Sequence, residues 1–90
     1  VAMLTRALAW EFLKRDIRVN AIAPGGVDTP MTNVVDFPAG MDFKLIEKSI
    51  APGNKMIDPS EPAGLISFLS SNEAASITGT VIPIDHGITC

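Results

Sequence analysis

The sequence contains no tyrosine, and it has a single histidine, His86, and a single cysteine, Cys90. A mechanism in which a tyrosine transfers a proton, or in which two histidines bind a metal, therefore cannot be completed by these residues. One cysteine cannot form an intrachain disulfide, which favours a reducing compartment. We therefore expect a cytoplasmic protein without a metal site.

Positive charge and long apolar runs are also scarce. Seven lysines and arginines face ten acidic residues, for a formal net charge of -3, and this balance argues against a nucleic-acid partner. Every apolar stretch is interrupted long before the roughly 18 residues that a membrane span requires. Neither a nucleic acid nor a membrane is expected as a partner.

Hydrophobic residues, by contrast, make up 47% of the 90 residues, so the chain is suited to forming a core. A chain this short buries only about 60 to 65% of its unfolded surface, which predicts marginal stability in isolation. The opening residues, Val1 to Arg6, lack the features of a secretory signal. We expect the true amino terminus to lie upstream.

The hydrophobic pattern predicts an alternation of helices and strands, and hence an α/β fold with a parallel sheet. Leu4, Leu8 and Phe12 form an apolar stripe on the first helix. Two strands cannot form a stable sheet alone, so we expect further strands from upstream. The predicted elements are a helix over 1–14, a strand over 17–23, a short helix over 42–50, a helix from 58 or 60 to 69, and a strand over 80–85.

The third helix has a clear start signal. Asp58 can cap it, Pro59 suits the first helical position, and Glu61 can complete a capping box. Before it, residues 31–57 predict a long loop that carries the short helix.

The most informative motif is Pro24-Gly25-Gly26, which ends the first predicted strand. Ligands of open α/β sheets lie outside the carboxyl ends of the strands, and two glycines allow a backbone to approach a ligand closely. The residues alone equally support a plain strand-to-loop turn, in which Pro and Gly serve their backbone preferences.

Several segments, in order, resemble motifs of the classical short-chain dehydrogenases/reductases. The resemblance covers nearly the whole chain and fades only around residues 32–51. The segments are Ala2 to Ala9, Arg18 to Gly25 with Thr29, Pro59 to Ser71, Ile77-Thr78-Gly79, and Ile84-Asp85-His86-Gly87.

This resemblance implies the carboxyl-terminal part of a Rossmann-like doubly wound sheet that binds NAD or NADP. It implies that Pro24 and Gly25 line the nicotinamide, that Val27 contacts the carboxamide through its main chain, and that Thr29 bonds the carboxamide or pyrophosphate through its hydroxyl. The loop would form a substrate lid. Its candidate lining residues are Met31, Phe37, Met41, Phe43 and Ile46. Packing of an apolar helical stripe within the domain would equally explain their apolar character.

The family's catalytic Ser and its Tyr-x-x-x-Lys have no counterpart, so the resemblance assigns no catalytic residue to this chain. Residues 1–90 would then be a partial Rossmann domain, inactive alone, of an enzyme that transfers hydride between a nicotinamide and a small carbonyl or alcohol substrate. A homotetramer is the expected assembly. His86 departs from the family, which usually has Gly at this position.

Three alternatives accompany this interpretation. The chain can be a non-catalytic interaction module or truncated paralogue. A hydrolase is disfavoured because no Gly-x-Ser-x-Gly elbow occurs. The divergent enoyl-reductase branch of the superfamily usually lacks the Pro-Gly pair, so Pro24-Gly25 favours the classical branch.

Overall fold

The computed structural model describes residues 1–30 and 56–90. Helices and strands alternate along these residues, which confirms the α/β class. The elements are helix α1 (Ala2–Phe12), a 3₁₀ helix (Leu13–Arg15), strand β1 (Ala21–Pro24), helix α2 (Ser60–Leu69), a second 3₁₀ helix (Asn72–Ala74) and strand β2 (Val81–Ile84). The predicted helix over 42–50 lies outside the described residues.

The two strands pair in parallel, as predicted, with Ala21 opposite Val81 and Pro24 opposite Ile84. Both are shorter than the sequence pattern indicated. In the first, residues 17–20 lie outside the strand. One reason is that the Val19 N–H donates to the Thr78 hydroxyl, at 3.1 Å, instead of to a main-chain carbonyl.

Helix α1 buries Thr5 and Ala9, whereas Leu4 of the predicted apolar stripe is 61% exposed. A Cβ added to Gly79 would lie 3.4 Å from the Ala9 Cβ. The helix approaches the segment before β2 closely because small residues meet there.

Helix α2 begins at Ser60, and its start uses the predicted capping residues. The Ser60 N–H donates to the Asp58 carboxylate at 2.9 Å, and the Asp58 N–H donates to the Glu61 carboxylate at 3.2 Å. The bond from Ser60 lowers the pKa of Asp58 below its ordinary value. The capping box is therefore present, and the helix begins at the later of the two predicted starts.

The described residues bury few large apolar side chains. The buried apolar residues are Ala9, Ile57, Leu69 and Ala74. Several larger apolar side chains are exposed, namely Val1, Met3, Leu4, Trp10, Leu13, Ile17, Met56, Ile66 and Phe68. Two strands of four residues offer little surface for helices to cover, which accounts for the small core. No helix in the described ranges is long and apolar enough to cross a membrane.

Candidate functional site

The candidate site lies where both strands end. Pro24 and Ile84 are the last residues of β1 and β2, and the two strands run in the same direction. The Gly25 N–H donates to the Ile84 carbonyl at 3.0 Å, so the ladder continues for one bond beyond β1. The segment that follows, residues 25–29, therefore leaves the sheet at the edge where ligands of open α/β sheets bind.

Gly25 occupies a position where a side chain would be crowded. A Cβ added to it would lie 3.1 Å from the Asp85 Cβ, 3.2 Å from the Asp85 Cα and 3.7 Å from the Ile57 Cδ1. The first two distances are shorter than ordinary contacts between carbon atoms. A side chain here would crowd Asp85, so close approach inside the protein favours glycine.

Ile57 fixes the next part of the segment. Its N–H donates to the Gly26 carbonyl at 2.8 Å, and its own carbonyl accepts from the Asp28 N–H at 2.9 Å, which makes a parallel bridge opposite Val27. In such a ladder, the N–H and C=O of the spanned residue face the opposite side. The main chain of Val27 therefore faces away from Ile57, and Ile57 is only 2% exposed.

All four residues predicted to bind the cofactor lie in or directly after β1. Pro24 is exposed, while Gly25, Val27 and Thr29 are half-buried. The residues predicted to line the substrate pocket lie outside the described residues, so their role stays a prediction; they are Met31, Phe37, Met41 and Phe43.

The turn after β2 borders the same edge. Asp85 is buried, and its carboxylate accepts hydrogen bonds from the Gly87 N–H, at 3.0 Å, and from the Thr89 hydroxyl. The Thr89 hydroxyl holds the pKa of Asp85 below its ordinary value, against the opposing effect of burial. His86 and Gly87 both have positive φ angles, of 56° and 82°. The family's usual Gly at the position of His86 suits such a backbone, and His is among the side chains that tolerate it.

The chemistry of this edge fits a carboxamide better than a phosphate. In the described stretches that follow the strands, Asp28 and Asp85 are acidic, and no lysine or arginine occurs in 24–29 or 85–90. A carboxamide needs one donor and one acceptor, which main-chain groups and a hydroxyl provide. In these stretches, no cationic side chain offers a pyrophosphate a charged partner. The residues present therefore fit the nicotinamide end of a dinucleotide.

Two functional side chains of the motif were missed by the sequence reasoning, and both act at the opposite edge of the sheet. The Arg18 guanidinium donates to the carbonyls of Leu69 (2.6 Å), Ser71 (3.1 Å) and Ile77 (3.3 Å). It thus satisfies the carboxyl-terminal end of α2, where a cation is favoured. No local signal predicts this contact, because the partners lie 51 to 59 residues away.

Asn20 has a similar role. Its amide nitrogen donates to the Ile77 carbonyl at 2.9 Å, and its amide oxygen accepts from the Thr80 N–H at 3.2 Å. Asn20 therefore joins the segments that lead into β1 and β2.

A groove of about 340 Å³ lies between β1 and α2. Its polar lining comes from Arg18, Asn20 and Ser70, and the first two already bond main-chain carbonyls. It borders the amino-terminal half of β1, whereas ligands of open α/β sheets lie beyond the carboxyl ends. We therefore place the candidate site at residues 24–29 and not in this groove.

A parallel sheet with a glycine-containing segment at its carboxyl edge is characteristic of dinucleotide-binding α/β proteins. A family model described as enoyl-(acyl carrier protein) reductase matches residues 1–89. The chain belongs to the short-chain dehydrogenase/reductase family, whose related enzymes use NAD or NADP.

Two curated relatives illustrate the similarity. The chain is 41% identical over 87 residues to 2,5-dichloro-2,5-cyclohexadiene-1,4-diol dehydrogenase LinX of Sphingobium indicum, covering 97% of this chain and 33% of that protein. It is 35% identical over 88 residues to 3-oxoacyl-[acyl-carrier-protein] reductase MabA of Mycobacterium tuberculosis, covering 94% and 33%. The chain thus spans about a third of the length of these relatives.

A solved structure agrees with this assignment. 4-Hydroxyisoleucine dehydrogenase complexed with NADH matches with a TM-score of 0.73 and 32% identity, covering 98% of this chain and 34% of that one. The family model is described as an enoyl reductase, whereas the two relatives are named as a diol dehydrogenase and a 3-oxoacyl reductase. These names establish the family and not its branch.

Proposed function

We propose that this chain is the carboxyl-terminal part of an NAD(P)-dependent oxidoreductase of the classical branch. The enzyme transfers hydride between the nicotinamide and a small carbonyl or alcohol substrate. The single observation that carries the proposal is the position of residues 25–29, which leave the carboxyl edge of a parallel sheet between Asp85 and Ile57.

In this proposal, Pro24 and Gly25 line the nicotinamide ring, and Val27 and Thr29 hold its carboxamide. The main chain of Val27 faces away from Ile57, which suits a contact on the ligand side. The cofactor supplies the hydride chemistry when it is bound. The residues of this chain orient it, since a correctly aligned ring is what makes transfer efficient.

The proton-transferring residues would come from a preceding part of the enzyme, because these 90 residues contain no tyrosine. Met31, Phe37, Met41 and Phe43 are proposed to line the substrate side, in a lid formed by residues 31–57. The 90-residue chain by itself is expected to be inactive.

A homotetramer is part of the proposal. Met3, Leu4 and Trp10 are 61% to 79% exposed in these 90 residues, so other parts of the enzyme, including a partner subunit, would cover them. The lone cysteine, Cys90, favours a reducing compartment and therefore a cytoplasmic enzyme.

The test of the site is Thr29→Val in the full-length enzyme, which keeps the shape of the side chain and removes its hydroxyl. If the hydroxyl holds the carboxamide, the affinity for NADH or NADPH falls by between a few-fold and about 100-fold, as expected for a lost hydrogen bond with an unsatisfied partner. A changed unfolding free energy with unchanged cofactor affinity would instead assign the hydroxyl to the turn. Titration of the cofactor by fluorescence, together with urea unfolding, measures both quantities.

Thr80→Val is the matched control. It is the same chemical change at the opposite edge of the sheet, where Thr80 bonds to Asn20 and Ala21 through its main chain. This variant should bind cofactor like the wild type. An unchanged dissociation constant in Thr29→Val would remove Thr29 from the site, and a wild-type enzyme that binds neither cofactor would overturn the proposed function.

A further inference from the structure

We propose that Asp85 is a positioning residue that sets the place of the nicotinamide-binding segment by holding Gly25. This inference rests on the proposed function of residues 24–29. The turn after β2 would then contribute to cofactor binding without contacting the cofactor.

The contact between the two residues is close. A Cβ on Gly25 would lie 3.1 Å from the Asp85 Cβ and 3.2 Å from the Asp85 Cα, which is tighter than ordinary contacts between carbon atoms. The two chains therefore lie close together directly after Pro24 and Ile84, and a side chain on Gly25 would force one of them to shift.

Asp85 cannot easily move away. Its carboxylate is held by the Gly87 N–H and the Thr89 hydroxyl, and its carbonyl accepts from the Ile88 N–H at 3.2 Å. These three bonds tie the side chain and the main chain of Asp85 to one turn, whose bend uses the positive φ angles of His86 and Gly87. Asp85 thus forms a fixed surface against which Gly25 rests.

Gly25 transmits this position to the site. Its N–H is bonded to the Ile84 carbonyl, and the next residue, Gly26, accepts from the Ile57 N–H. With both bonds made, a shift at Gly25 is passed along the main chain to Val27 and Thr29. Asp85 on one side and Ile57 on the other therefore define where the proposed carboxamide contacts lie.

The test is a double-mutant cycle in the full-length enzyme, with the dissociation constants of NADH and NADPH as the readout. Gly25→Ala inserts a methyl group beside Asp85 and should weaken cofactor binding by between about fivefold and about 100-fold, the range expected for overpacking. Asp85→Gly removes the nearer obstructing carbon. In the Gly25→Ala background it should restore part of the lost affinity, because the Asp85 Cα still lies 3.2 Å from the added Cβ, and alone it weakens binding.

The cycle separates positioning from direct contact. The alternative is that the methyl group introduced by Gly25→Ala collides with the cofactor itself. Asp85→Gly would then give no rescue, and the fold-losses in affinity of the two single variants would multiply in the double variant. That result would overturn the inference. That outcome would not refute the proposed function, which is tested by cofactor binding of the wild type and by Thr29→Val. A wild type that binds no cofactor would refute the function itself.

A second pair of variants decides the question if the double variant does not fold. Thr89 is exposed, so Thr89→Val removes the bond to Asp85 with little change in packing. It should weaken cofactor binding by about two- to tenfold, as expected for one hydrogen bond. Thr89→Ser keeps the hydroxyl and should bind like the wild type. Equal affinity of Thr89→Val and Thr89→Ser would overturn the inference.

Discussion

The two edges of the parallel sheet are held together in different ways. At the amino edge, the side chains of Arg18, Asn20 and Thr78 make six hydrogen bonds to main-chain groups. At the carboxyl edge, residues 25–28 are held by main-chain bonds to Ile84 and Ile57. The difference shows why one motif contains both structural and binding residues. Its first part fastens the sheet through side chains, and its last part is placed by main-chain bonds.

The largest expected effect is at the amino edge. Arg18→Ala removes three hydrogen bonds to carbonyls that end α2 and precede β2, and should lower the unfolding free energy of the full-length enzyme by about 3 kcal/mol, because bonds to a charged group are strong and the carbonyls lose their partner. Urea unfolding measures the change. Cofactor affinity of the folded fraction should stay close to that of the wild type.

Arg15→Ala is the control for this variant. Arg15 is exposed, and its described contact is with the Phe12 ring, 5.9 Å from the ring centroid, so its loss should cost less than about 1 kcal/mol. If Arg18→Ala and Arg15→Ala lower the unfolding free energy equally, the hydrogen bonds of Arg18 do not stabilise the amino edge. The proposed difference between the two edges would then be wrong.

A smaller effect, of opposite sign, is expected at the carboxyl edge. His86 has a left-handed backbone, which costs a non-glycine residue about 1 to 2 kcal/mol. Glycine avoids this cost, but its unfolded chain has a larger entropy, which offsets part of the gain. His86→Gly should therefore stabilise the enzyme by up to about 1 kcal/mol, measured by urea unfolding.

Asp16 provides the matched comparison, since it also has a positive φ angle, of 54°, and is exposed. Aspartate tolerates this backbone better than most residues, so Asp16→Gly should gain less than His86→Gly. His86→Ala keeps the Cβ and should give no such gain. A destabilised His86→Gly enzyme would indicate that the imidazole makes a contact that outweighs the strain.

The smallest effect concerns pH. The pKa of Asp85 is lowered from 3.8 by the Thr89 hydroxyl, so the folded state favours the ionised carboxylate. Its contribution to stability is therefore fully present above pH 3.8 and is lost as the pH falls through the lowered pKa. Thr89→Val should reduce this acid-dependent loss. Melting temperatures recorded between about pH 2 and pH 6 measure it.

Asp58 supplies the internal reference for that experiment. Its pKa is also lowered, by bonds from Ser60, and Thr89→Val leaves these bonds unchanged. The acid dependence should thus decrease in Thr89→Val without disappearing. Parallel pH curves for the wild type and the variant would show that the bond to Asp85 does not contribute.

Local sequence signals predicted part of the fold and of the site. Asp58 and Glu61 predicted the start of α2 because a capping box involves residues only three positions apart. Pro24-Gly25 predicted the end of β1 within one residue, because these residues are unsuited to continue a strand. The order of the elements likewise predicted a parallel pair of strands.

Contacts between distant residues could not be predicted in this way. The apolar stripe of α1 did not indicate which of its residues contact the rest of the chain. The helix packs through Ala9 against the segment at Gly79, which only the assembled chain brings together. The side chain of Arg18 resembled any other partly exposed cation until the end of α2 was placed beside it.

The sequence by itself determined the alternation of helices and strands, the capping of α2 and the end of β1, because each depends on backbone preferences and on neighbours within one helical turn. Only the tertiary structure decided that Asp85 lies close against Gly25, and that Arg18 bonds the end of a helix 51 residues away. These contacts depend on which residues come together when the chain folds. The distance in space between residues that are far apart in the sequence cannot be read from the sequence pattern.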